Sequence, residues 1–249
     1  MSPLTTLGLS GPVSLIASGQ KIITEGLILH LDAGNSSSYS GSGTAWNNLI
    51  SGQPSAYNAT LNNGPTFDSN NGGSIYFDGV DDNVSTLSQL DPGDGLGADG
   101  LYADSSSSWS VSSWFKPDIT RTSNSAVTGK GGGTGGSATY VVWFNGTQLR
   151  TRLRGGTILN ITTSLSSTWN EVVITWDGTT AKAYLNGSFV SNIAVGNVSK
   201  QTNNFTVGST AGGNSIRYRG NISEVKVYSR AISDVEVLKN YNVLSSRYL

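Results

Sequence analysis

The sequence predicts an all-β fold: two antiparallel sheets packed face to face as a jelly-roll sandwich, with one short helix towards the C-terminus. Three observations carry this. Short apolar or alternating runs recur along the 249 residues, each bounded by Gly, Asn, Asp or Ser clusters, which is the pattern of many short strands. Asn-Gly and Asp-Gly pairs stand where antiparallel strands must reverse. One stretch alone joins a helical period to a capping signal. All-β sandwiches of about 200–250 residues are commonly one unit, so a single domain is expected.

Taken in order, residues 1–25 lack strong periodicity and read as an N-terminal arm, suited to docking on a partner. The sandwich is then expected over 26–249, opening with the strand GLILHL. Further strands are expected at 56–61, 74–78, 82–87, 109–116, 138–145, 148–154, 157–163, 170–176, 180–186, 203–208 and 216–228. Asn145-Gly146, Asp177-Gly178 and Asn186-Gly187 tolerate positive φ and supply tight reversals. Residues 140–144 are apolar on both faces, the mark of a central strand covered on each side. Residues 88–108 are Gly- and Asp-rich with little period, a long excursion of the kind that is usually functional or mobile. Ser233 and Glu236 form an S-x-x-E capping box, and Val235, Leu238 and Tyr241 follow at helical spacing.

Composition narrows the function. Only 12% of residues are charged, but six Trp, ten Tyr and six Phe supply core side chains, so the chain is not a disordered one. A net charge of −1 argues against nucleic acid, whose phosphates demand a basic excess. With no Cys there is neither a disulfide nor a thiolate metal site, which favours a bacterial or viral source. No segment is apolar enough to span a membrane. The opening residues carry no Lys or Arg ahead of their apolar part until Lys21, so no cleaved signal is expected and cell lysis is the expected exit.

Four ordered blocks carry a resemblance. GLILHLDAGNSSSYSGSGTAWNNL and NATLNNGPTFDSNNGGSIYFDGVDDNV are similar to the opening of laminin-G-like domains of the concanavalin A-like lectin/glucanase superfamily. WSVSSWFKP, WNEVVITWDGTTAKAYLNG and YRGNISEVKVYSRAISDVEV resemble its later strands and terminal helix. The version with LDAGN looks most like domains of tailed-bacteriophage virion proteins, among them tail, fibre and head-decoration proteins. The resemblance implies a structural virion component displaying a lectin-like sandwich, docked to other virion proteins through the arm and facing a host surface glycan. A homo-oligomer would be natural for such a part. The alternative is a free, calcium-dependent carbohydrate-binding module of a bacterial surface protein.

The resemblance also implies a calcium site at the sandwich rim. Its candidates are Asp81 and Asp82 in FDGVDDNV, with Asp32 and Asn48 from neighbouring blocks, because a hard cation needs several oxygens in one place. Asp81 and Asp82 equally suit turn hydrogen bonds to backbone amides. Where the family commonly has a D-x-SGNGN-type loop, this sequence has WNNLISGQPSAYNA, one carboxylate fewer. Arg150, Arg152 and Arg154 share one face of a strand, where guanidiniums grip anionic groups or simply solubilise an exposed face. Leu149 and Leu153 alternate with them towards the core. His30, the sole histidine, alternates with leucines and is expected as a packed or rim residue.

Catalysis is not expected from the sequence. A retaining glucanase of this superfamily sets its acids on one strand in an E-x-D-x-E run, and none of Glu25, Glu171, Glu224 or Glu236 begins one. GKGGGTGG at 129–136 lacks the order of a phosphate loop. The chain is therefore expected to be no enzyme.

Overall fold

The structure, a computed structural model, describes residues 21–86, 90, 108–118, 124–131, 138–153, 158–162, 165–194, 203–210 and 216–249. Its first strands are β1 (Leu27–Asp32), β2 (Ala45–Trp46), β3 (Ala59–Asn62) and β4 (Thr66–Asp68). β5 (Ser74–Asp78) and β6 (Asn83–Thr86) flank a tight turn. β7 (Trp109–Pro117), β8 (Ser125–Gly131), β9 (Ala138–Asn145) and β10 (Gln148–Leu153) follow. β11 (Leu159–Thr162), β12 (Asn170–Trp176), β13 (Thr180–Leu185) and β14 (Ser188–Ala194) form the next group. β15 (Phe205–Val207) and β16 (Arg219–Tyr228) complete the strands, and helix α1 spans Asp234–Ser245.

These strands make two sheets. The first runs β14-β13-β12-β7-β16-β5-β4, with β1 also paired to β16; the second runs β11-β10-β9-β8-β15-β6-β3-β2. Every described pairing is antiparallel. β5 and β1 share one edge of β16: β5 pairs with Arg219–Ile222 and β1 with Glu224–Tyr228. This is the all-β sandwich with one C-terminal helix that the sequence predicts.

The core lies between the sheets because alternate residues of each strand point inward. Leu29, Leu31, Val111, Phe115, Ile174, Trp176, Val225 and Val227 meet Tyr140, Val142, Phe144, Leu149 and Leu153 from the other side. Phe115 and Phe144 cross edge to face at 5.9 Å. Each such side chain stabilises the fold by about 1.5–3 kcal/mol relative to exposure. All of the tryptophans are buried, including Trp46 and Trp109 near strand starts. β9 sits between β8 and β10; its Val141 and Trp143 make a smaller buried cluster on the outer side, so the strand is covered on both faces.

Helix α1 starts as expected. Ser233 Oγ accepts from the Glu236 amide, and Glu236 Oε2 accepts from the Ser233 amide at 2.8 Å. Its buried stripe, however, differs. Val235 and Leu238 face solvent, while Val237, Asn240, Tyr241 and Leu244 face the first sheet. A polar residue holds the centre of that stripe: Asn240 donates to Tyr228 Oη at 3.0 Å and accepts from the Ile23 amide at 2.8 Å. Hydrophobicity alone points to the wrong side for this reason. β2, β4, β8 and β14 are strands that the sequence reading does not anticipate. The last residues of the expected arm, 21–25, lie against the sandwich: Ile22 and Ile23 pack on a cluster containing Leu27, Tyr228 and Val237. Residues 1–20, Arg154 and all of 88–108 except Leu90 and Ser108 lie outside the described residues.

Candidate functional site

The outer face of the first sheet carries the chemistry, and register puts it there. Paired residues on adjacent strands emerge on the same face. Tyr76 of β5, Asn221 of β16 and Lys116 of β7 stand opposite one another in a row. One step on, Asp78 pairs with Arg219, and the Asp118 amide donates to the Arg219 carbonyl at 3.1 Å. Gly220 lies between the rows at φ +133°, and a Cβ there would come within 2.4 Å of the Lys116 carbonyl. A side chain could not sit there without prising β7 from β16. Tyr76, Lys116, Pro117, Asp118, Gly220 and Asn221, with Ser167 from the loop before β12, wall a cleft of about 280 Å³.

Most of the cleft is held in place by its own bonds. Arg219 Nε donates to Asp118 Oδ2 at 3.1 Å, and the Arg219 guanidinium also bonds the Tyr76 phenol. The Asn221 amide donates to Ser74 Oγ at 3.0 Å and to Asp68 Oδ2 at 3.2 Å. An aromatic ring, an amide, a hydroxyl and a cation thus meet in one concavity, with the Arg219–Asp118 pair at its side. Such a mixture of an apolar wall with a few fixed polar groups is what orients a small polar ligand.

Beside it is an acidic turn. Carboxylate oxygens of Asp78, Asp81 and Asp82 lie within 4.8 Å of one another. Asp82 is buried, and its Oδ2 accepts from the Asp78 amide at 2.9 Å; Asp78 Oδ1 accepts from the Val80 amide at 2.7 Å. Burial, followed by the charges of Asp78 and Asp81, raises the Asp82 pKa above the usual carboxylate range, although the amide bond opposes this. Like charges at this separation repel, and a divalent cation would relieve them. Three hard oxygen donors suit calcium, which takes about six to eight oxygens and can complete its shell with water.

The four predicted metal residues do not converge. Asp81 and Asp82 belong to the cluster, joined by Asp78, which the sequence reading passed over. Asp32 Oδ1 instead accepts from Arg247 Nη1 at 2.7 Å and from the Gly34 amide. Asn48 Oδ1 accepts from the His30 and Ile50 amides, and its Nδ2 donates to the Ile28 carbonyl. Both have structural employment that leaves them out of the cluster. Arg150 and Arg152 lie on the outer face of the second sheet, partly buried, with Leu149 and Leu153 alternating into the core. The Arg150 guanidinium bonds Gln148 of its own strand.

Sequence reasoning also missed a buried charge cluster further along β16. Glu171 of β12 and Glu224 of β16 both stand opposite Trp114 of β7, and Lys226 lies opposite both Ser112 and His30. Lys226 Nζ is 3.1 Å from Glu224 Oε1 and 4.0 Å from Glu171 Oε1. His30 Nε2 meets Glu224 Oε1 at 2.7 Å, and Ser112 Oγ donates to Glu171 Oε1 at 2.7 Å. Burial pushes the Glu171 carboxyl up to about 7 despite Lys226 and Ser112. Burial acts the same way on Glu224, but Lys226 and His30 outweigh it and bring that carboxyl down to about 2. Over this patch Tyr241 and Tyr248 stack on Trp114, with centroids at 5.5 and 4.2 Å.

Comparison with known proteins places the fold. Residues 93–238, more than half of the chain, match a laminin-G model of the concanavalin A-like lectin/glucanases superfamily. The chain belongs to this superfamily. No curated protein sequence matches it. Among solved structures, this concanavalin-like sandwich is similar to a Trypanosoma rangeli sialidase in complex with sialic acid. That match has 15% identity and a TM-score of 0.67, covering 95% of this chain and 36% of the sialidase. It is also similar to the binding domain of Paraclostridial Mosquitocidal Protein 1, at 15% identity and TM-score 0.61, covering 88% of this chain and 52% of that one. A third is domain 4 of an extracellular arabinanase from Geobacillus stearothermophilus, solved with arabinotriose. There the identity is 16% and the TM-score 0.59, over 86% of this chain and 98% of that domain. The chain spans about a third of the length of the sialidases it matches. Identities this low show the fold alone.

These neighbours correct one expectation. The sequence reading excluded an enzyme because no strand carries the E-x-D-x-E run. The same sandwich occurs within sialidase chains and as a domain of an arabinanase, so that missing run does not separate this chain from carbohydrate-active enzymes.

Proposed function

We propose that this sandwich is a glycan-binding module that attaches the particle or protein carrying it to a sugar-coated surface. One observation carries the reading: three neighbouring strands place an aromatic ring, an amide and a cation on the walls of one cleft, beside three converging carboxylates. The Tyr76 ring offers its face to the C–H side of a sugar, while Asn221, Ser167 and Lys116 offer hydrogen bonds to its hydroxyls. Asp78, Asp81 and Asp82 would hold calcium, which when bound supplies coordination sites for vicinal hydroxyls. The fold supports the reading, since the neighbours include a toxin's binding domain and an arabinanase domain solved with an oligosaccharide.

The carrier we propose is a tailed-bacteriophage virion, with residues 1–20 docking on other virion proteins and many copies adding avidity. The support is the ordered set of sequence blocks that resemble virion laminin-G-like domains. Binding of the full chain to an array of bacterial surface glycans, in calcium and then in EDTA, tests the function. Retention on at least one glycan, lost in EDTA and lost in Asp82→Asn, is expected. Absence of binding to every glycan in calcium would overturn the glycan reading, and binding indifferent to both EDTA and Asp82→Asn would remove calcium from it.

A further inference from the structure

Two cations stand at the cleft, and they are not equivalent. Arg219 is spent within the protein, on Asp118 and the Tyr76 phenol. Lys116 lines the cleft half-buried, and its ammonium makes no hydrogen bond or ion pair with any described residue. Among the described lining residues the one carboxylate, Asp118, already faces Arg219 at 3.1 Å. Among the described lining residues this leaves the Lys116 charge without a partner of its own. Ser167 adds a hydroxyl at the wall whose oxygen has no hydrogen-bond partner. A half-buried ammonium beside an aromatic wall is an incomplete site, because a charge drawn partly out of water gains most from a charged partner.

Resting on the glycan-binding reading, we infer that the cleft takes a sugar unit bearing one anionic group, carboxylate or sulfate, with that group on Lys116. Tyr76 packs against the ring of the same unit, and Ser167 and Asn221 meet its hydroxyls. An ammonium is a compact point charge without the fork geometry of a guanidinium, so it selects for charge and does not by itself separate carboxylate from sulfate. Calcium at the acidic turn would offset the nearby negative charge that otherwise works against an anion.

Titration of the full chain, in calcium, with matched galactose, galacturonate and galactose-sulfate oligosaccharides tests this by calorimetry. Wild type is expected to bind at least one of the two anionic series about tenfold more tightly than the neutral one. Lys116→Ala is expected to abolish that preference, so that the anionic series bind no more tightly than the neutral one, and Lys116→Arg to restore most of it. Salt should weaken the anionic binding and spare the neutral. Which series is preferred separates carboxylate from sulfate. Equal affinity for all three series overturns the inference and leaves the glycan reading standing. A preference that survives in Lys116→Ala also overturns it. Failure of every oligosaccharide here and on the array overturns both. A circular dichroism spectrum and a thermal midpoint matching wild type show that the variant has folded.

Discussion

Lys116 and Lys226 sit on adjacent strands of the same sheet face, one in a cleft and one sealed under a helix. Around Lys226 the protein supplies the opposite charges itself: two carboxylates, with a histidine close by and a lid of Tyr241 and Tyr248 stacked on Trp114. Around Lys116 it supplies walls, and the carboxylate among the described ones, Asp118, is taken by Arg219. The difference separates a charge used to hold the fold from a charge left for something else. A cluster of acids and a base is not in itself a functional site; cover and self-satisfaction decide.

The largest expected effect breaks the sealed side. Lys226→Met leaves Glu171 and Glu224 facing one another in a space closed to water, and urea unfolding at pH 7 should show a loss of about 3–5 kcal/mol. The second effect is on pH dependence. Glu171 has a folded pKa near 7, above its unfolded value, so its protonated form favours the fold. Its contribution is present below about pH 4.5 and lost as pH rises to about 7, on the order of 2–3 kcal/mol. Glu224, held near 2, acts in the opposite sense: its contribution is present above about pH 4.5 and lost as pH falls towards 2. Glu171→Gln should flatten the stability profile between pH 4.5 and 7 and leave the acid limb in place, which chemical denaturation across pH would show. A profile unchanged by this substitution would mean that the pair does not titrate as its surroundings imply. The smallest effect sharpens the open side: Lys116→Met should shift stability by no more than about 0.5 kcal/mol in the same assay.

The sandwich was legible in the sequence because apolar residues recurring every second position in runs such as 109–116 and 170–176 mark strands and the face turned to the core between the sheets. β8 was not legible. Gly129, Lys130 and Gly131 have poor strand character, yet the segment lies between β9 and β15, where pairing on both sides overrides propensity. The cleft was invisible for another reason. Tyr76, Lys116 and Asn221 are far apart in the chain, and only strand order makes them neighbours. The same holds for Glu171 and Glu224, which meet across three strands and so escape any search along one. A register shift between Ile222 and Glu224 adds to this, carrying Asn221 and Glu224 to the same face although they are three apart. Asp78 was within reach: the string FDGVDD puts an acid at each end of one tight turn, and the near end went unread.

The way the chain enters the sandwich fixes how a bound surface would be held. The Ile23 main chain is pinned from both sides, its amide by Asn240 and its carbonyl by Tyr228 Oη at 3.1 Å. The cleft lies at the other end of β16, beside Asn221, about 23 Å away at the rise of an extended strand. If residues 1–20 tether the chain and the cleft grips a surface, as proposed, the two act at opposite ends of one strand. A force transmitted between them would run lengthwise along β16, loading its hydrogen bonds to β7, β1 and β5 together in shear instead of unzipping them one by one.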